Sequence, residues 1–345
     1  MYFIYNYGFF LIKTITICSI ALISILFITH FSKRASTDKG DFKITHLKYD
    51  YHEFQKNIAF LTMTSYEKKI WIKQNQQKEK RIEKNIHKLS LLNKKNNIYV
   101  NKPILYVLDF KGNINASEVN HLREEISAIV SIAKENDEVF LRLESSGGIV
   151  NSYGFAACQL KRLRQKGIYL TVAIDKIAAS GGYMMASVAN YIIAAPFAIV
   201  GSIGVVAQLP NFNNFLKKNN IDIELHTAGK YKRTLTLFGE NTKEGREKFC
   251  KELQITYNLF KSFIHKMRPN LDIDNVSTGE YWFGSIALEK KLIDHISTSD
   301  DFLIAKKNKF TVLNIKYLPH VNLLDRCLHN IIKNIYSVFF NKIKK

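Results

Sequence analysis

From Pro103 onward, apolar and mixed stretches alternate at a regular spacing. Leu105–Phe110 (LYVLDF), Val139–Glu144 and Ile168–Ile174 (IYLTVAI) are short apolar, β-prone runs, the pattern of strands covered on both faces. Between them, Ser117–Glu135 and Val150–Lys166 have helical spacing, with Ser117 as a candidate N-cap. Tyr191–Ala195 and Ile199–Val206 continue as short strands, and Ile221–Thr227 is strand-like. Thr242–Met267 reads as a long helix capped by Thr242. Strands and helices in alternation predict βαβ units with right-handed crossovers, an α/β domain over residues 103–319.

The flanks follow other patterns. Phe9–Phe31 is almost wholly apolar, broken by Lys13 and a few small or hydroxyl residues. That length suits a bilayer span, which takes about 20 apolar residues. The run ends in His30, Phe31, Ser32, Lys33 and Arg34, with no small-residue cleavage exit, so a retained anchor over residues 1–34 is expected. Residues 35–102 form a basic linker or helical region. Between Glu67 and Lys95 stand 10 Lys and Arg against 3 acidic residues, while Ile82, Ile86 and Leu89 fall at helical spacing. The tail, residues 320–345, carries an apolar stripe through Leu324, Leu328, Ile331, Ile335 and Phe339. Such a helix would lie on a partner subunit, on the membrane or on its own domain.

Charge sharpens this division. The 345 residues carry a net +20, of which residues 1–102 hold +11 (18 Lys+Arg less 7 Asp+Glu) and residues 320–345 hold +4 (5 less 1). The middle is left with only +5 (27 less 22), so the basic excess points to anionic lipid and not to a nucleic-acid partner. Lys33, Arg34, Lys39, Lys43 and Lys48 follow the apolar run, and by the positive-inside rule they place the rest of a single-pass protein in the cytoplasm. Cys18, Cys158, Cys250 and Cys327 are far apart, with no metal spacing and no disulfide framework. Cys18 and Cys158 read as buried small apolar side chains.

The chemistry concentrates at Ala178–Ala186, AASGGYMMA, between the third apolar run and a short helix former. That arrangement is strand, glycine turn, helix. A serine there, Ser180, either caps the helix or exposes its hydroxyl beside the amides of a helix start, where partial positive charge favours a nucleophile. A serine nucleophile needs a base. The base is a histidine, with His121 and His226 as candidates, or a lysine from Gly229–Thr234, GKYKRT.

ASGGY after a strand, SSGG at Ser145–Gly148, GSIGV at Gly201–Val205 and GKYKRTLTLFGENT at Gly229–Thr242 together resemble the SppA-type signal peptide peptidases over nearly the whole chain. The resemblance implies a ClpP/crotonase-like fold of stacked ββα units. It implies Ser180 as nucleophile, Lys232 as general base and Ser202 as the hydroxyl that orients the lysine. Lys230, two residues earlier, would face the other way in an extended segment. An amide of Gly147 or Gly148, with that of Gly181, would stabilise the oxyanion. No cofactor and no metal is called for. The implied partners are a polypeptide substrate, a lipid membrane and further copies of the chain, since nucleophile and lysine meet at protomer junctions in such proteins. Relatives of this type work on the outer face of the cytoplasmic membrane, opposite to the charge rule. In Tyr281–Asp294 the family has a glycine before the last apolar pair, where this chain has Lys291. The competing reading is a catalytically silent scaffold of the same fold, and a weaker one is an acyl-CoA enzyme.

Overall fold

A computed structural model describes residues 7–17, 19–20, 40–47, 60–64, 66–68, 70–74, 77, 81, 84 and 102–319. The chain divides into two compact units, Met1–Lys43 with Tyr317–Lys345, and Ile44–Lys316. In the first, the Tyr317 hydroxyl accepts the Gly40 amide at 2.6 Å and its ring meets Phe42 edge-on. Residues 7–17 and 19–20 are helical. Among the described residues no helix is long and apolar enough to cross a membrane. The rest of the expected anchor, Cys18 and the whole tail helix lie outside them. The described residues between 66 and 84 are helical, and Ile82, Ile86 and Leu89 lie outside the described residues.

Apart from the first residues of its first strand and the last of its final strand, the second unit holds an α/β sheet with helices on both faces. In chain order the strands are β1 (Asp41–His46), β2 (Ile104–Gly112), β3 (Glu138–Ser145), β4 (Tyr169–Ile174), β5 (Ile177–Ala179), β6 (Tyr191–Ala194), β7 (Ile199–Gly201), β8 (Tyr281–Phe283), β9 (His295–Ile296) and β10 (Thr311–Leu318). The helices are α1 (Val119–Ile132), α2 (Val150–Gln165), α3 (Gly181–Ala186), α4 (Asn213–Lys218), α5 (Lys243–Met267), α6 (Ile273–Val276), α7 (Gly284–Glu289) and α8 (Ser299–Lys306). The main path runs β1-β10-β2-β3-β4-β6-β9. From β10 through β9 its pairs are parallel. Alternate residues of β2 supply both faces: Tyr106, Leu108 and Phe110 pack with α1 and α2, while Leu105 and Val107 pack with Phe140, Leu303 and Val312.

The feature that positions the site is a fork. β3 pairs with β4 over Glu138–Arg142, and its last residue, Ser145, pairs with Ala178 of β5. From there a short branch continues, β5 to β7 in parallel and β7 to β8 antiparallel. Ser145, Ser180 and Ser202 all stand at the ends of strands in this branch.

Several local expectations change. Ser117 does not cap α1, whose N-cap is Glu118 with no side-chain bond. The Ser117 hydroxyl accepts from the Asn113 side chain at 2.9 Å, and Asn113 Oδ1 accepts the Ser117 amide, so both groups are spent on the preceding turn. β7 ends at Gly201, because Gly201 (φ +107°) and Ser202 (φ +51°) leave the extended region. Ile221–Thr227 joins no ladder among the described residues and is exposed. Cys158 is exposed, since the buried stripe of α2 passes through Tyr153, Ala156, Ala157, Leu160 and Leu163 and leaves it to the side. Thr242 does cap α5, accepting the Gly245 amide at 3.1 Å.

Lys291 adopts φ +62°, the left-handed conformation in which a glycine is at ease and other residues are strained. The turn persists because the Lys291 amide bonds Leu288 O at 2.9 Å, the Leu292 amide bonds Ala287 O at 2.9 Å, and Arg268 donates to Lys291 O at 3.0 Å. Lys291→Gly should therefore stabilise the domain by about 0.5–1 kcal/mol in chemical denaturation. Unchanged or lowered stability would mean that the turn holds no relievable strain.

Candidate active site

Ser180 is the hinge between β5 and α3, with φ +51° and ψ −118°, unfavourable for any residue with a Cβ. The strain, of order 1–3 kcal/mol, is held from both sides. The Ser180 amide donates to Gly201 O at 2.8 Å, continuing the β5–β7 ladder, and the Ser180 carbonyl accepts from Met184 at 2.9 Å, opening α3. Its side chain makes no capping bond, so the hydroxyl is left for chemistry at a half-buried position.

Glycines let the neighbouring backbone close in. A Cβ on Gly147, which has φ +88°, would stand 2.8 Å from Ala179 O, the Gly181 amide nitrogen and Ser180 Cβ. One on Gly181 would enter the Tyr153 ring. The SSGG loop is thus pressed against the Ser180 turn. The Gly147 amide is already committed, donating to Ser145 Oγ at 3.1 Å. Gly148 follows it with an exposed backbone, and Gly181 is the first residue of α3, where amides have no partner inside the helix.

Ser202 follows the residue whose carbonyl holds the Ser180 amide, so the fold brings Ser180 and Ser202 to adjoining strand ends. Its own amide donates to Glu280 O at 2.7 Å, carrying the β7–β8 pairing one step further. Lys232 is placed differently. It is exposed in a turn, its amide on Gly229 O at 3.1 Å, and among the described residues its side chain bonds neither Ser180 nor Ser202. The segment carrying it is anchored by side-chain amides: Asn211 Nδ2 donates to Thr236 O and Gly239 O, Asn213 Nδ2 to Phe238 O, and Asn241 Oδ1 accepts the Thr236 amide.

The alternatives are poorer. Lys230 Nζ lies 2.8 Å from Glu244, and its hydrogen bond to that carboxylate raises the ammonium above the ordinary lysine range, the wrong direction for a base. His226 pairs with Glu224 at 3.3 Å, both exposed on the same segment. No histidine is hydrogen-bonded to Ser180 among the described residues. Two residues of the site were not singled out by the sequence, Ser145 and Tyr153. The only signal was position: the first serine of SSGG, and an aromatic hydroxyl in the first turn of the helix that follows it.

A strained serine at a strand-to-helix turn, backed by a glycine loop and free amides, defines a serine hydrolase of α/β architecture. Residues 2–160 match the N-terminal domain of peptidase family S49 and residues 162–312 match the peptidase family S49 domain, so the chain belongs to that family and is a serine protease. It is similar to a probable protease SohB of Buchnera aphidicola subsp. Schlechtendalia chinensis, 60% identical over 309 residues, 89% of this chain and 100% of that one. A second, from Buchnera aphidicola subsp. Schizaphis graminum, is 55% identical over 96% of this chain and 94% of its own. A third, from Haemophilus influenzae, is 48% identical over 93% and 91%.

If the Gly147 loop must touch the Ser180 turn, Gly147→Ala should leave a folded protein whose Ser180 reacts with a fluorophosphonate about a hundredfold more slowly, the scale of a lost oxyanion donor. Labelling at the unaltered rate would show that the close approach is dispensable.

Proposed function

We propose that this protease is a membrane-anchored endopeptidase with a Ser180–Lys232 dyad, cleaving signal peptides or other membrane-near polypeptides on a ClpP/crotonase-like fold. The observation that carries the proposal is the strained Ser180 turn with its hydroxyl uncommitted. Ser180 Oγ attacks the peptide carbonyl while neutral Lys232 takes its proton. The Gly148 and Gly181 amides meet the developing oxyanion, the Gly147 amide being engaged elsewhere. Lys232 then returns the proton to the leaving amine, and water, activated by the same lysine, releases the acyl group. Ser202 orients the lysine.

Lys232 is exposed within one chain, and a lysine that acts as a base needs a dry site. A second copy supplies that site in this account: Lys232 of one subunit serves Ser180 of its neighbour in a closed homo-oligomer. The exposed Ile221, Ile223 and Leu225 precede Lys232 on the same segment, an apolar edge suited to such a junction. The apolar N-terminal run anchors each subunit in the cytoplasmic membrane.

Ser180→Ala and Lys232→Ala should each abolish cleavage of a fluorogenic peptide. Ser202→Ala should lose roughly tenfold to a hundredfold, the cost of one orienting hydrogen bond, and Lys230→Ala should stay close to the unaltered protein. An inactive Lys230→Ala beside an active Lys232→Ala would overturn the assignment of the base, and full recovery of the protein in the soluble fraction would overturn the anchor.

A further inference from the structure

Behind the SSGG loop lies a chain of hydroxyls that the mechanism above does not use. Tyr153, fully buried in the first turn of α2, donates its hydroxyl proton to Asn113 O at 2.7 Å. Its oxygen lies 2.6 Å from Ser145 Oγ. With the single phenolic proton spent on Asn113, Ser145 must be the donor in that contact. Ser145 Oγ is then free to accept, and it takes the Gly147 amide at 3.1 Å. The sequence of bonds is Gly147 N–H to Ser145, Ser145 to Tyr153, Tyr153 to the Asn113 carbonyl.

The packing around it is specific to these groups. A Cβ on Gly112 would fall 2.5 Å from Ser145 Oγ and closer still to the Tyr153 hydroxyl, so only glycine leaves room for the pair. The Tyr153 ring occupies the space that a Gly181 side chain would need. Burial pushes the Tyr153 hydroxyl up from its ordinary pKa, which keeps it a neutral donor. One tyrosine therefore touches both halves of the oxyanion site, the helix start through its ring and the loop through its hydroxyl.

We propose that Ser145 and Tyr153 are positioning residues for catalysis: by tying back the Gly147 amide they fix the loop so that the next amide, that of Gly148, is presented to the reacting carbonyl. They touch no substrate. Their effect is on transition-state stabilisation and not on substrate affinity, because an oxyanion donor acts most strongly once charge has developed.

The inference rests on Ser180 being the nucleophile, and the test separates the two. In the full-length protein, the fluorophosphonate reaction at Ser180 is resolved into its maximal rate and its half-saturating concentration, and a peptide aldehyde, whose adduct carries an oxyanion, is measured as a competitor. Tyr153→Phe should lower the maximal rate about tenfold, the loss of one hydrogen bond, leave half-saturation within about twofold, and weaken the aldehyde by the same tenfold factor. Ser145→Ala should do the same or more, and the double variant should be no slower than Ser145→Ala alone, since both act through one amide. Tyr106→Phe is the control: it removes a buried hydroxyl from Asp137 at the far end of β2 and should cost stability without changing these rates. Unaltered rates in Tyr153→Phe, or full additivity in the double variant, would overturn the relay while leaving Ser180 in place. Failure of the unaltered protein to label at Ser180 would overturn the proposed function and the relay together.

Discussion

The backbone at Ser180 is held in a conformation that a serine would leave if it were free to. Two hydrogen bonds prevent it, one to Gly201 O from the strand side and one from Met184 on the helix side. Each depends on a larger element. The first requires β7 to lie parallel to β5, which requires the sheet to fork at Ser145. The second requires α3 to start at once, which is possible because Gly181 and Gly182 tolerate Tyr153 and the Ser145 carbonyl at close quarters. Removing the fork would let the turn relax and withdraw the hydroxyl into an ordinary helix cap.

The same fork explains why so much of the site comes from distant parts of the sequence. Ser145 ends one strand, Ser180 follows the next, and Ser202 follows the third. A parallel branch aligns strand ends of like polarity, so three loops meet at one edge. The outer strand, β8, closes the branch through Trp282, whose ring lies where a Gly201 side chain would go. Arg268 supports the turn before β9 with a two-pronged bond to Asp294, at 2.8 Å for each pair of atoms.

The central strands and their helices were legible because a parallel sheet covered on both faces leaves near-continuous apolar runs, as in Leu105–Phe110, interrupted by Asp109, and Ile168–Ile174. Thr242 was legible as a cap because its bond is local. Ile203–Val206 misled, since apolar composition continues past the point where two positive φ angles end the strand. Ile221–Thr227 has strand alternation, yet no ladder partner among the described residues. Ser117 spends its hydroxyl on Asn113 in the preceding turn instead of capping the helix, a competition that composition does not rank. The Ser145–Tyr153 contact joins residues eight apart through a loop, and only the fold shows that their hydroxyls meet.

What the sequence implied and one chain does not assemble is the dyad: Ser180 sits in the forked sheet, and Lys232 stands solvated in its turn. In the proposed function, assembly with a second copy brings the two together. The most direct test mixes inactive Ser180→Ala protein with inactive Lys232→Ala protein under conditions of verified subunit exchange. Sites that combine an intact Ser180 from one chain with an intact Lys232 from another should restore part of the peptidase activity. Verified exchange with no recovered activity would contradict the account and place the dyad within a single chain.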